Sequence, residues 1–169
     1  MLNGFTPLYQ TEQMTQLTRA VHAQRGPVSL YGLSDTAQKS LHVALLAAEE
    51  LPFLLVSYGH NQAQNLFDDI TGLLPEKRIG FFPANESFFY DSAAASRDLS
   101  NQRLQVLLDL LNHKLDGVVT DIEALMLPLL PPDIMTSRQL CIHIGDHLDL
   151  KSLMESLVAQ GYERVVTVD

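Results

Sequence analysis

The sequence contains no tryptophan, a single cysteine and few basic residues. One cysteine, Cys141, excludes an intrachain disulfide and is compatible with a reducing compartment. Eleven Lys and Arg residues against twenty Asp and Glu residues give a formal net charge of -9. Because non-specific binding to nucleic acids depends on basic side chains that neutralise phosphates, this balance disfavours a nucleic-acid-binding surface.

Long hydrophobic runs are also missing from the sequence. No apolar stretch approaches the length that a membrane span needs, and the first five residues lack the pattern of a signal peptide. Apolar residues nevertheless make up 46% of the chain, enough for a sizeable core. We therefore expect a cytoplasmic protein without a membrane segment.

Most of the chain alternates between strand-like and helix-like patterns. Strands are predicted at 28–31, 53–57, 78–82 and 117–120, and helices at 12–24, 35–50, 60–74 and 96–113. Such alternation with short connections is typical of a parallel sheet with helices on both faces. The expected fold class is therefore α/β.

Three prolines between Pro128 and Pro132 interrupt this alternation. The interruption predicts a boundary between a domain at 1–130 and a second domain at 131–169. The second part has predicted strands at 139–144 and 163–168 around a helix at 150–160, which ends before Gly161. A unit this small lacks the apolar area to fold alone, so we expect a small α/β domain that is truncated here.

The stretch GLSDTAQKS follows the first predicted strand and precedes a helix, which is the position of a phosphate-binding loop. A working loop reads G-x-x-x-x-G-K-[ST]. Aligned on Lys39 and Ser40, this sequence has Leu33 and Gln38 where the two glycines belong. We interpret the stretch as a vestigial phosphate loop comprising Gly32, Leu33, Ser34, Asp35, Gln38, Lys39 and Ser40.

Asp35 and Gln38 have another explanation, because their spacing is that of a capping box. A carboxylate at a helix N-terminus occupies the place of a phosphate and carries the same sign of charge. This pattern favours a helix that caps itself. The alternatives are an active nucleotide-binding domain with an unusual loop, or a doubly wound domain that binds a small ligand.

Three other groups of residues are candidates for a metal-binding or nucleic-acid-binding site. Asp121 and Glu123 follow a strand and resemble magnesium ligands, although Asp121 is better explained as an N-cap. Cys141, His143 and His147 lack the spacing of a typical zinc site. The aromatic run Phe88–Tyr90 is expected to pack into the core rather than stack on bases. We expect no catalytic residue, metal ion or cofactor in this segment.

Two longer stretches, NESFFYDSAAASRDLSNQRLQVLLDLL and DGVVTDIEALMLPLLPP, resemble the N-terminal module of the bacterial transcription-repair coupling factor family. That module is itself similar to the excision-repair subunit UvrB, which keeps an intact phosphate loop. The altered loop at Gly32–Ser40 therefore favours the coupling factors over UvrB.

The resemblance implies a fold and a role that the residue patterns alone do not give. Residues 1–130 would be a RecA-like (P-loop-NTPase-like) domain without motor activity, and residues 131–169 would begin an inserted domain that binds UvrA. The UvrA-contacting residues would lie beyond Asp169. The parent protein would be an ATP- and magnesium-dependent DNA translocase that displaces stalled RNA polymerase and recruits excision repair.

Overall fold

The computed structural model describes residues 6–24, 26–48, 51–84, 93–140, 142–163 and 165, with the side chains of Thr6, Tyr9 and residues 93–97 excepted. The chain divides into two compact units, Met1–Pro128 and Leu129–Asp169. This division falls two residues before the predicted boundary. Among the described helices, none combines the length and the hydropathy that a membrane crossing requires.

The first unit contains three strands and six helices in its described part. The helices are α1 (Thr6–Tyr9), α2 (Glu12–Ala23), α3 (Thr36–Ala47), α4 (His60–Leu73), α5 (Ala93–Leu111) and α6 (Ile122–Met126), and the strands are β1 (Phe53–Ser57), β2 (Ile79–Phe82) and β3 (Gly117–Asp121). The predicted helices at 12–24, 60–74 and 96–113 and the strands at 53–57, 78–82 and 117–120 are confirmed to within a few residues.

The three strands form a parallel sheet in the order β1-β3-β2. Phe53 in β1 and Ile79 in β2 both align with Gly117 in β3. The chain passes from β1 over β3 to β2 through α4 and then returns to β3 through α5. These two crossovers run in opposite directions across the sheet. Because such crossovers are right-handed, α4 and α5 lie on opposite faces. The predicted α/β architecture is therefore confirmed.

Hydrophobic clusters hold the helices to the two faces of the sheet. On one face, α3 and α4 pack against Phe81 and Val119, with Ile70 of α4 fully buried. On the other face, Val106 of α5 packs against Phe82 and Val118. A third cluster joins α2 to α3. Removal of this apolar surface from water is the main source of stability.

The predicted strand at 28–31 is wrong. Val28, Leu30 and Tyr31 lie in irregular backbone with exposed fractions of 45%, 47% and 90%. Their sequence alternates as a strand does, but a strand exists only when a neighbour pairs with it. No strand in the described part of the chain pairs with these residues.

The second unit contains α7 (Pro132–Ser137) and α8 (Leu150–Ala159). The predicted strand at 139–144 is wrong for the described residues 139–140 and 142–144, none of which lies in a strand. The Asp146 carboxylate accepts a hydrogen bond from the His143 N–H at 2.7 Å, and the Asp146 N–H donates to the His143 carbonyl at 3.2 Å. These bonds form a turn there, with Gly145 at φ 99°. Of the strand predicted at 163–168, Glu163 and Val165 are irregular, and the rest lies outside the described residues.

The N-cap of α8 predicts a pH-dependent helix start. Hydrogen bonds from the Ser152 hydroxyl and from the N–H groups of Ser152 and Lys151 lower the pKa of Asp149 below its usual 3.8. The resulting stabilisation is present above pH 3.8 and is lost as the pH falls through the lower folded pKa. The amide shift of Ser152, followed by NMR, is expected to titrate below pH 3.8, whereas in Asp149→Asn it should stay constant.

Candidate functional site

The predicted phosphate loop leads directly into α3, and its own side chains cap that helix. The Asp35 carboxylate accepts a hydrogen bond from the Gln38 N–H at 2.7 Å, and the Gln38 side-chain oxygen accepts from the Ser34 N–H at 2.9 Å. The capping function predicted for Asp35 is therefore confirmed, and Gln38 reaches one residue further back than a standard capping box. The Gln38 N–H at the start of α3 therefore has its partner within the protein.

Ser40 occupies the place of the hydroxyl that binds magnesium in a working loop. Here the residue is fully buried, and its hydroxyl lies 2.9 Å from both the Asp69 carboxylate of α4 and the Thr36 carbonyl. This contact ties α3 to α4. Because Asp69 is 29 residues away in the sequence, no local pattern indicated the pair.

The carboxyl ends of the strands meet around a buried acid, Asp121. Its Oδ1 accepts a hydrogen bond from the Ala124 N–H at 2.8 Å, and its Oδ2 accepts from the Ala84 N–H at 3.3 Å. The side chain thus caps α6, as predicted, and also fixes the segment after β2. With both oxygens bound to backbone donors, the carboxylate serves as a structural connection between two strand ends.

A histidine and an arginine border this carboxylate. The Nδ1 atom of His60 is buried 3.9 Å from Asp121 Oδ2 and has no hydrogen-bond partner among the described residues. Arg103 donates to the Pro83 carbonyl, and its guanidinium lies 4.0 Å from the centre of the Phe82 ring. Burial lowers the pKa of Arg103, and the charge of Asp121 acts in the opposite direction.

The remaining predicted residues do not come together as a site within the described structure. The His143 ring lies 3.5 Å from Asp146 and His147 is exposed, while Cys141 lies outside the described residues. No group of three potential metal ligands occurs in the described part of the chain. The aromatic run Phe88–Tyr90 also lies outside that part, so its predicted packing stays a prediction.

A cavity of about 450 Å³ lies beside the altered loop. Its floor is apolar and includes Leu55 and Leu66, while Lys39, His42 and Tyr58 border it. No local sequence pattern predicts this cavity, because it forms where α3 and β1 pack against each other in the folded chain.

Two kinds of relatives match the chain. It is 30% identical over 164 residues to the transcription-repair-coupling factor of Bacillus subtilis (strain 168), which covers 97% of this chain and 14% of that protein. It is 20% identical over 168 residues to UvrABC system protein B of Treponema pallidum (strain Nichols). It is 22% identical over 167 residues to the same protein of Mycoplasma mycoides subsp. mycoides SC. Each of these two alignments covers 92% of this chain and 25% of the relative. No protein-family model matches the chain.

These relatives and the parallel sheet together define a class, the UvrB-like α/β modules of DNA-repair proteins. The chain spans about a seventh of the length of the coupling factor and a quarter of the length of the UvrB proteins. Its identity to the coupling factor is higher, and that alignment covers 97% of the chain. Over almost its whole length, the chain therefore resembles the UvrB-like module of the transcription-repair-coupling factors.

Proposed function

We propose that this chain is a non-catalytic interaction module of a transcription-repair coupling factor. In this proposal the whole protein acts in the cytoplasm, displaces RNA polymerase stalled at DNA lesions, and recruits excision repair through UvrA. The observation that carries the proposal is the match to a coupling factor over 97% of the chain. The self-capped loop supports the non-catalytic part of it, because the Gln38 N–H and the Ser40 hydroxyl are already bonded within the protein.

The chemistry of the loop favours this role over nucleotide binding. A phosphate at the start of α3 would need the Gln38 N–H, which is bonded to Asp35, and would meet the negative charge of that carboxylate. A magnesium ion would need the Ser40 hydroxyl, which is buried against Asp69. Lys39 alone does not make a phosphate site. We propose that ATP and magnesium bind to a motor elsewhere in the parent protein.

Calorimetric titration with ATP and magnesium tests the non-catalytic role. The expected result is no saturable binding, with any dissociation constant weaker than about 1 mM. Asp35→Ala removes the carboxylate that blocks the helix start, and Asp149→Ala, at the N-cap of α8, serves as its matched control. Saturable micromolar binding by the unsubstituted chain would establish the alternative, an active nucleotide-binding domain of a helicase-like ATPase such as UvrB.

The UvrA part of the proposal concerns the second unit. Residues 131–169 are proposed to begin the UvrA-binding domain, with the contact residues beyond Asp169. In a titration with purified UvrA, the full-length protein is expected to bind and residues 1–169 are expected not to bind. Equal affinity of the two chains would contradict the proposed position of the contact residues. Failure of the full-length protein to bind would contradict the recruiting role itself.

A further inference from the structure

A groove runs between α3 and α4 on the side of these helices that faces away from the sheet. Three residues of α3 between positions 37 and 41 and four residues of α4 between positions 68 and 73 surround a volume of about 490 Å³. Ala44 and Ile70 of the same two helices are buried against the sheet, whereas Ala37 and Gly72 in the groove are exposed. The α3–α4 groove, as we call it, therefore belongs to the outer surface of the first unit.

The α3–α4 groove changes from acidic to apolar along α4. Asp68 and Asp69 are exposed, while Leu73 is half-buried and Leu41 adds aliphatic surface from α3. Leu73 follows Asp69 by four residues, which corresponds to about 6 Å along a helix. A side chain with a long aliphatic stem and a cationic end matches this arrangement, because it can contact the leucines and the carboxylates at the same time.

The two carboxylates retain capacity for a further donor. Asp68 Oδ1 accepts a hydrogen bond from the side-chain amide of Gln64 at 2.9 Å, and Asp69 Oδ2 accepts from the Ser40 hydroxyl. Among the described residues, no hydrogen bond reaches the other oxygen of either carboxylate, and no basic side chain pairs with them. Two neighbouring negative charges at one surface attract a cation from solution.

Gly72 leaves room in the groove that the fold itself does not use. The residue lies within α4 and is absent from the glycines with a positive φ. A Cβ atom at this position would meet no other atom within 4 Å. Glycine in a helix lowers its stability relative to alanine, and neither the backbone conformation nor a neighbouring atom requires glycine here. A partner side chain that passes close to α4 would require it.

We propose that the α3–α4 groove binds an arginine side chain of a partner protein, within a segment that has apolar residues beside that arginine. In this proposal the aliphatic stem lies along Leu41 and Leu73, and the guanidinium donates to Asp68 and Asp69. Arginine fits better than lysine because its planar group has five donors and can reach two carboxylates at once. The partner surface is a protein, since the phosphates of a nucleic acid would be repelled by these acids.

This contact goes beyond the UvrA contact proposed above and does not depend on it, because that contact is placed beyond Asp169. Arginine is also one of the residues that most often dominate the binding energy of an interface. The single groove is therefore sufficient to make binding of the partner depend on one side chain.

Peptide selection on the full-length protein tests the proposal. The probe is a phage-displayed library of random 12-residue peptides that is first depleted on full-length Gly72→Leu protein. This substitution fills the groove without a clash and removes a glycine from α4, so its unfolding midpoint in urea should be no lower than that of the unsubstituted protein. The enriched peptides are expected to share an arginine next to an apolar residue and to bind with a dissociation constant of about 10 μM.

Synthetic copies of an enriched peptide identify the contact. Binding should weaken at least 10-fold in Gly72→Leu and in Asp68→Asn, and also when citrulline, which lacks the charge, replaces the arginine of the peptide. Thr71→Leu adds a leucine at an exposed position of α4 that does not line the groove and should leave the affinity unchanged. The proposal is wrong if no peptide survives the depletion or if the surviving peptides lack a basic residue. Enriched peptides that match a segment of the parent protein would assign the groove to an intramolecular contact and overturn it as well.

Discussion

Replacing Asp121 with alanine is expected to lower the free energy of unfolding of the first unit by about 3 kcal/mol. The substitution removes the acceptor of the Ala124 and Ala84 N–H groups, and both of these residues are buried. A buried donor without a partner costs the free energy of its lost hydration. Arg103 would also lose the carboxylate whose charge favours its protonated form.

Urea unfolding, followed by NMR at the Val119 amide, measures this effect within the first unit. Asp121→Asn keeps one side-chain oxygen, so its loss of stability should be roughly half as large. Asp149→Ala removes the N-cap of α8 in the other unit and should leave the Val119 transition unchanged. A decrease below about 1 kcal/mol for Asp121→Ala would show that these two hydrogen bonds do not stabilise the strand ends.

Replacing Ile70 with alanine is expected to cost about 3.5 kcal/mol of stability. Ile70 has no exposed surface and lies in the cluster that joins α3 and α4 to Phe81 and Val119. The substitution removes three carbon atoms from a packed core that can only partly close around the space. The resulting cavity adds to the loss of buried apolar area.

The same urea experiment measures this prediction, with two comparisons. Ile70→Val removes a single methylene and should cost about 1 kcal/mol. Leu110→Ala changes an exposed apolar residue on α5 and should stay within about 0.5 kcal/mol. If Ile70→Ala were no more destabilising than Leu110→Ala, the described packing of α4 on the sheet would be incorrect.

Local patterns in the sequence predicted the elements that depend on local chemistry. The apolar run at Gly117–Asp121 is a strand with both of its faces covered, and the run at Phe53–Ser57 pairs with it. Asp35 and Asp121 were recognised as N-caps because a cap binds backbone three residues away. Such signals are contained in a few neighbouring residues.

The features that sequence analysis missed depend on contacts between distant residues. Val28–Tyr31 alternates like a strand, but the outcome is decided by whether a partner strand is present. At 139–144 the Asp146 side chain competes with strand formation by bonding to the His143 N–H. The contact between Ser40 and Asp69 and the position of Arg103 over Phe82 each required the folded arrangement of two elements.

The order of the strands in the sheet has a consequence for synthesis on the ribosome. The central strand, β3, comes last among the three described strands, and Gly117 is the common partner of Phe53 and Ile79. β1 and β2 do not pair with each other, so both stay without a partner until β3 has emerged. Until then their apolar side chains are accessible to chaperones and to neighbouring nascent chains. The three described strands can therefore pair only after residue 117 has been synthesised.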